Sequence, residues 1–128
     1  MADESRATNC ECAAAPKLIF SCSGAADVGH VSDLAARQLT REGVGKMFCL
    51  AGIGGRVSGI VASTEAASAI LAIDGCPLDC ARKTLEEAGF TQYGHLRLSD
   101  LGMEKGKTLA TQENVDTVAR SGRELLTA

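Results

Sequence analysis

The stretch Ile70-Leu-Ala-Ile-Asp74-Gly-Cys76-Pro-Leu-Asp-Cys80 constrains the fold more than any other part of the chain. A short apolar run ends at an Asp-Gly turn signal, and Pro77 then begins a helical pattern. This order predicts a buried strand followed by a helix, with Cys76 at the cap and Cys80 one turn in. Residues four apart on a helix face the same side, so both thiols are expected to point towards one site. Thiols at the end of a strand and the start of a helix are better placed to bind a metal or to react than to pack in a hydrophobic core.

The same order of a short apolar run and helical apolar spacing recurs along the chain. It predicts strands at 17–20, 46–50, 69–73 and 92–98 and helices at 27–42, 57–65, 77–88 and 113–126. Strands that alternate with helices predict a parallel sheet with helices on both faces. We expect an α/β fold, a small doubly wound (Rossmann-like) sheet of about four parallel strands in the order 2-1-3-4. The spacing turns Leu78 and Leu125 inward, and Thr111 is the expected cap of the last helix.

Length and composition predict a single domain. The chain has 128 residues, which is enough to bury a core without disulfides. Apolar residues make up 45% of the chain and aromatic residues only 3%, so we expect an aliphatic core of the kind that parallel sheets have. We assign residues 1–15 to a flexible leader that contains cysteine and residues 16–128 to one α/β domain with the metal site.

Charge and hydropathy exclude several classes of function. The formal net charge is −3, and no cluster of Lys and Arg is long enough for a nucleic-acid surface. No apolar run approaches the roughly 18 residues of a membrane span, and the acidic start lacks the features of a signal peptide. The sequence therefore predicts a cytoplasmic protein without nucleic-acid or membrane partners.

Four of the six cysteines are predicted to meet at one edge of the sheet. In a reducing compartment, cysteines are typical of metal ligands or redox thiols rather than of disulfides. Cys22, Cys49 and Cys76 each end or follow a predicted strand, and Cys80 lies one turn after Cys76. The carboxyl edge, where such folds bind ligands, is also where helix amino termini favour a negatively charged thiolate. We therefore predict that these four thiols converge on one metal ion.

Zinc is the first choice of metal and an iron–sulfur cluster the second, because clustered thiolates select these centres. The alternative is a thiol–disulfide redox protein or enzyme, with Cys76 or Cys80 as its nucleophile and no permanent metal. For the metal site, the candidate roles are metal handling, sensing or metal-assisted chemistry, so whether the protein is an enzyme stays open. In the leader, Cys10 and Cys12 form a second pair that can chelate a soft metal, add ligands to the site or remain idle surface thiols.

Four further residues are candidates for the surroundings of the site. Asp74 can orient a ligand or cap nearby amides, and Ser23 can hydrogen-bond a thiolate or a substrate. Gly75 lets the backbone turn sharply beside the cysteines. The glycine-rich segment 52–55, followed by Arg56, partly matches a nucleotide-binding turn and suggests a small anionic ligand.

The two histidines and the basic loop receive structural interpretations. We expect His30 to be a solvated surface residue near the site and His95 to be structural and away from the cysteines. The loop Lys105-Gly106-Lys107 is expected to be a solvated face rather than a binding arm.

The cysteine motifs also resemble a known family. The run Ile73-Asp-Gly-Cys-Pro-Leu-Asp-Cys80, with Cys22-Ser-Gly24 upstream and Cys49-Leu-Ala-Gly-Ile-Gly54 between them, resembles the DGC-domain family of proposed zinc-binding proteins. The resemblance covers roughly residues 17–105, and the combination of motifs makes it specific. It implies a cytoplasmic prokaryotic protein whose zinc ligands are Cys22, Cys49, Cys76 and Cys80. Cys10 and Cys12 lie outside the shared part.

Overall fold

One parallel sheet of four strands, in the order β2-β1-β3-β4, lies at the centre of the molecule. It is seen in the computed structural model, which describes residues 15–128. The strands are β1 (Lys17–Ser21), β2 (Lys46–Met47), β3 (Ala69–Asp74) and β4 (Gly94–Arg97). The predicted α/β class and strand order are confirmed. The leader, with Cys10 and Cys12, lies outside the described residues except for Ala15.

Five α-helices and a 3-10 turn complete the described part of the chain. They are α1 (Asp27–Arg41), α2 (Leu50–Gly54), α3 (Ser58–Glu65), α4 (Cys80–Glu87), the 3-10 turn Leu98–Leu101 and α5 (Gln112–Thr127). None of these helices combines the length and the apolar composition that crossing a membrane requires.

Helix α5 has the predicted cap but a different core residue. The side chain of Thr111 accepts a hydrogen bond from the amide of Asn114 at 3.2 Å, as an N-cap does. Leu125, predicted to face inward, is 45% exposed, whereas Leu126 is buried. Leu126 lies eight residues after the buried Val118 and therefore on the same apolar face of α5, whereas Leu125 lies at the edge of that face.

Alternate side chains of β1 and β3 enter two separate cores, one on each face of the sheet. Ile19 and Leu71 pack against α1 and α5 in one core. Leu18 and Phe20 point to the other face, where α2, α3 and α4 cover them. Both cores are mainly aliphatic and helices lie on both faces, as the sequence predicted.

The strand order creates a switch point between β1 and β3 at the carboxyl edge of the sheet. The two strands are neighbours, with Leu18 opposite Ile70 in the register. The chain leaves β1 for α1 on one face and leaves β3 for α4 on the other face. A crevice opens between connections that diverge in this way, and ligands of open parallel sheets bind in it.

The second strand is shorter than predicted. Its strand residues Lys46 and Met47 pair with β1, the amide of Phe48 still donates to Ile19 at 2.8 Å, and the chain enters α2 at Leu50. Much of the glycine-rich segment is therefore helix instead of an open turn. Gly52 permits close packing of α2 on α3, because a Cβ at this position would lie 2.8 Å from the side chain of Ile60.

The helix predicted from Pro77 begins three residues later, at Cys80. Cys76 is therefore not a helix cap, and the two thiols do not share a helix face. The chain from Cys76 to Asp79 forms a turn that ends with Asp79 in the left-handed region at φ 55°. Leu78 lies in this turn and is 59% exposed rather than buried.

Candidate metal centre

The four cysteines of the described chain all lie at the carboxyl edge of the sheet. Cys22 directly follows β1, and its amide still donates to β3 at 3.0 Å. Cys76 lies in the turn after β3, and Cys80 is the first residue of α4. Cys49 is the N-cap of α2, where its Sγ accepts a hydrogen bond from the amide of Gly52 at 3.3 Å. The strand order thus brings cysteines from three connections to the same edge.

Two cavities open at this edge, and Cys22 lines both of them. The polar cleft, of about 810 Å³, is lined by Cys22 and Cys49 together with Ser21, Ser23, Asp33 and Arg37. The apolar cavity, of about 370 Å³, is lined by Cys22, Cys76 and Cys80 and by residues that include Val28 and Gly75. Each of the four thiols therefore borders one of two cavities that share Cys22, beside the β1–β3 switch point.

The sulfur atoms do not form a closed cluster in this conformation. In a tetrahedral zinc site with bonds near 2.3 Å, the sulfurs lie about 3.8 Å apart. Among residues 15–128, no three cysteine sulfurs lie within 4.8 Å of one another, and the four cysteines are free thiols. The residue types and their placement fit zinc, but binding requires the side chains and loops to draw together. Convergence on one ion stays a prediction.

A chain of hydroxyl groups surrounds Cys22. The buried hydroxyl of Ser32 lies 3.4 Å from Cys22 Sγ and 3.3 Å from Ser21 Oγ. Ser21 in turn bonds Ser23 at 2.9 Å, and Ser23 donates to Asp33 at 2.7 Å. Ser23 therefore reaches the thiol through this chain. Ser32 is a neighbour of the thiol that the sequence pattern does not reveal, because it lies inside α1.

An ion pair between Asp33 and Arg37 forms part of the wall of the polar cleft, with 2.7 Å between the two side chains. Partial burial acts to raise the pKa of Asp33, but hydrogen bonds from Arg37 and Ser23 outweigh it and lower this pKa. The carboxylate therefore stays ionised beside the guanidinium, and the two charges of the wall cancel.

Asp74 caps α4 from the end of β3. The amide of Ala81 donates to Asp74 Oδ1 at 2.7 Å, and the amide of Arg82 donates to Oδ2 at 3.1 Å. These are the second and third residues of the helix, whose amides an N-cap side chain usually satisfies. Asp79, which occupies the N-cap position, makes no such bond. Asp74 therefore fixes the start of α4 and, with it, the position of Cys80.

Asp79 is buried in an ion pair with Arg97. The Nε and Nη2 atoms of Arg97 donate to the two carboxylate oxygens at 2.8 and 2.6 Å, and Arg82 adds a third bond at 3.1 Å. The hydrogen bonds to Arg97 lower the pKa of Asp79, and the same pair raises the pKa of Arg97. Asp79 makes this pairing from a left-handed backbone conformation, which Asp and Asn adopt more readily than most other residues with a side chain. It thereby positions the cysteines on either side.

His95 joins the same network, so it lies closer to the cysteine turn than predicted. Its Nε2 is 2.8 Å from Asp74 Oδ2 and 3.7 Å from Asp79 Oδ1. These three side chains have ligand-type atoms within 4.8 Å of one another. Their carboxylate oxygens already accept bonds from two amides and two guanidinium groups. The arrangement fits a structural network better than a cation site, because a cation would displace those donors.

The sequence contains a signal for this network. His95 and Arg97 are two residues apart in β4, so their side chains face the same side of the sheet. Asp74 lies opposite Arg97 in the register of β3 and β4. Polar residues at alternate positions of a predicted strand, beside a strand that ends in Asp, indicate such pairing.

The remaining predicted residues support the scaffold. Arg56 donates to backbone carbonyls near the ends of α2 and α4, each at 2.8 Å, and lines neither the polar cleft nor the apolar cavity. Gly75 allows the turn to touch α1, because a Cβ there would lie 2.8 Å from Val28. His30 is exposed on α1.

Comparison with protein families finds one that spans most of the chain. The profile of the DGC domain matches residues 18–121. The chain belongs to the DGC domain family. This DGC domain is 36% identical over 88 residues to the anaerobic and virulence modulator AnvM of Pseudomonas aeruginosa, which corresponds to 69% of this chain and 67% of AnvM. No solved structure gives a significant match. The family predicted from the cysteine motifs is confirmed.

Proposed function

We propose that this DGC domain binds one zinc ion through Cys22, Cys49, Cys76 and Cys80. The observation that carries the proposal is that all four thiols border two cavities that share Cys22 at the switch point of the sheet. Ligands of doubly wound sheets bind at this place. A set of four thiolates is a donor set that zinc prefers.

The local structure supports closure of the thiols around an ion. Cys49 and Cys80 are exposed at the starts of α2 and α4, so their side chains are free to turn inward when the loops draw together around an ion. The amide of Gly52 already donates to the thiol of Cys49 at the start of α2, and a donor of this kind stabilises the negative charge of a thiolate. Bound zinc would hold the three connections together.

A role in metal handling or sensing suits this site better than a structural role. A domain of this size does not need a metal for its core, and the polar cleft leaves Cys49 exposed on one side of the site. The name of AnvM describes a modulator. Independently of that name, which mentions no metal, the exposure of Cys49 leads us to propose that the site of this chain changes state with metal supply.

Elemental analysis tests the proposal. Protein is purified without added metal and without a metal-affinity tag, and wild type is compared with Cys76→Ser and with the double variant Cys10→Ser/Cys12→Ser. We expect about one zinc per chain in wild type and in the double variant, and a loss of zinc in Cys76→Ser. Iron with acid-labile sulfide, or zinc retained by Cys76→Ser, overturns the proposal.

A thiol–disulfide couple is the second candidate, because Cys22, Cys76 and Cys80 line one cavity as free thiols. In this reading, two thiols lose two protons and two electrons to a low-molecular-weight disulfide, which leaves as two thiols. The couple is supported if metal-free protein forms one intramolecular disulfide reversibly with oxidised glutathione. It is rejected if all thiols stay reduced under those conditions.

A further inference from the structure

A loop anchored on Asp27 brings a cation to the apolar cavity. Asp27 Oδ1 accepts a hydrogen bond from the amide of Gly106 and Oδ2 accepts one from Thr108, each at 2.9 Å. These two bonds are the main reason why the pKa of Asp27 is lowered. Lys105, directly before Gly106, lines the cavity together with Cys76. The loop that the sequence presents as a solvated face is therefore also a wall of the site.

The rest of the cavity wall is apolar or consists of thiols. Val28, Ala25 and Ala26 contribute to the wall from the start of α1, and the exposed Leu78 contributes from the cysteine turn. Among the described residues that line the cavity, Lys105 is the one with a charged side chain. Such a wall accommodates a molecule with an apolar body and a single negative group.

We propose that the apolar cavity is a binding site for a small organic anion. The apolar body lies between Val28 and Leu78, and the negative group pairs with Lys105 beside the cysteines. The volume of about 370 Å³ falls in the lower part of the range for small-molecule sites. The proposal deepens the proposed function by naming a ligand class for the metal-free state of the same cysteine site, because the net negative charge of a bound zinc–tetrathiolate centre would oppose an anion. The cavity and the loop do not themselves require a metal.

The charges around the cavity favour an anion. A cation beside an apolar wall is screened less by water than one on an open surface, so its attraction for an anion is stronger. Among the carboxylates next to lining residues, Asp27 is held by three backbone amides, Asp74 by two amides of α4 and Asp79 by Arg97. Glu104 in the loop lies 3.8 Å from Lys107. Each of these negative groups thus has a donor or a cation other than Lys105.

Protection of the thiols from alkylation tests the site in the full chain after treatment with a chelator. Iodoacetamide alkylates a thiolate by displacement of iodide, and mass spectrometry measures the rate at Cys76 and Cys80. Hexanoate and hexanamide serve as a matched anionic and neutral probe. We expect hexanoate to protect these thiols at a concentration at least about threefold lower than hexanamide does. Equal protection by the two probes, or none by either, overturns the proposal.

Two variants separate the charge from the apolar wall. Lys105→Met keeps the aliphatic stem and should abolish the preference for hexanoate, whereas Lys107→Met in the same loop should retain it. Leu78→Ser, at an exposed position, should weaken protection by both probes equally. A preference that persists in Lys105→Met overturns the role of this lysine.

The zinc content of the untreated protein is measured in parallel, so the two proposals fail independently. A chain without zinc that still prefers hexanoate rejects the zinc site and supports the anion site. A chain with one zinc and no preference between the probes rejects the anion site alone.

Discussion

Asp79 is a buried carboxylate that pairs with the partly exposed Arg97. We expect Asp79→Asn to lower the free energy of unfolding by about 1–3 kcal/mol, because it removes the charge that accepts the hydrogen bonds of Arg97 and Arg82. Asn tolerates the left-handed conformation about as well as Asp, so the loss measures the charge. Asp79→Ala adds backbone strain and should be less stable still. Urea unfolding measures all three proteins.

The reciprocal variant Arg97→Met is the matched control for this pair. It leaves the Asp79 carboxylate buried with only Arg82 as a charged hydrogen-bond donor, so it should destabilise at least as much as Asp79→Asn. A loss below about 0.5 kcal/mol in Asp79→Asn, the range of ordinary surface substitutions, contradicts the structural role of the pair.

The lowered pKa values of Asp79 and Asp27 predict loss of stability in acid. Their main causes are the hydrogen bonds from Arg97 and from the Gly106 and Thr108 amides. Because the pKa of an unfolded Asp is near 3.9, the unfolded chain takes up protons before the folded chain as the pH falls. Stability should be complete above about pH 5 and should decrease through the acid range.

Unfolding free energies between pH 2 and pH 7 test this dependence. Asp79→Asn should have a shallower acid slope than wild type, whereas Glu65→Gln, at an exposed position, should keep the wild-type slope. If the unfolding free energies of wild type and Asp79→Asn fall equally with pH, the lowered pKa of Asp79 does not contribute to the acid dependence of stability.

At the scale of elements, the contact of the cysteine turn with α1 depends on Gly75. A Cβ at this position would lie 2.8–2.9 Å from atoms of Val28 that include its backbone, so Gly75→Ala should destabilise by about 1–3 kcal/mol. Gly59, in α3, has no atom within 4 Å of such a Cβ, and Gly59→Ala should be neutral or stabilising. Thermal unfolding compares the two, and equal midpoints contradict the close contact.

The sequence predicts the elements and their order because both depend on local patterns. The apolar run at 69–73 and the spacing of Val115 and Val118 identify β3 and α5 without knowledge of the rest of the chain. The start of α4 is set instead by the amide bonds to Asp74 and by the pairing of Asp79 with Arg97, which lies 18 positions further along the chain. Pro77 is a standard helix start, but these distant partners favour a start at Cys80.

The site also combines features that local patterns predict with features that depend on distant contacts. The edge of the sheet where the site lies was predictable, because parallel strands that precede helices all end on one side. The side chains around the cysteines were not predictable, since Ser32 lies within the pattern of α1 and Lys105 lies in a loop predicted to be a solvated face.

At the scale of the whole molecule, zinc bound to three connections should couple metal supply to stability. With free zinc at about 1,000 times its dissociation constant, one site adds roughly 4 kcal/mol to the folded state. We expect a chelator to lower the melting temperature of wild type and to leave Cys76→Ser unchanged. Equal midpoints of wild type with and without chelator contradict metal binding by the folded domain.

The pairing of β1 with β3 has a consequence for how the domain folds. Lys17 of β1 lies opposite Ala69 of β3, so about fifty residues must be enclosed before these neighbouring strands meet. Such long-range parallel pairing makes folding slow, in the range of milliseconds to seconds. The connections that follow β1 and β3, which form the two sides of the crevice, come together in that same step. A metal ion or an organic anion therefore meets a finished site only late in folding, and either ligand should act by slowing unfolding rather than by guiding the chain to its fold.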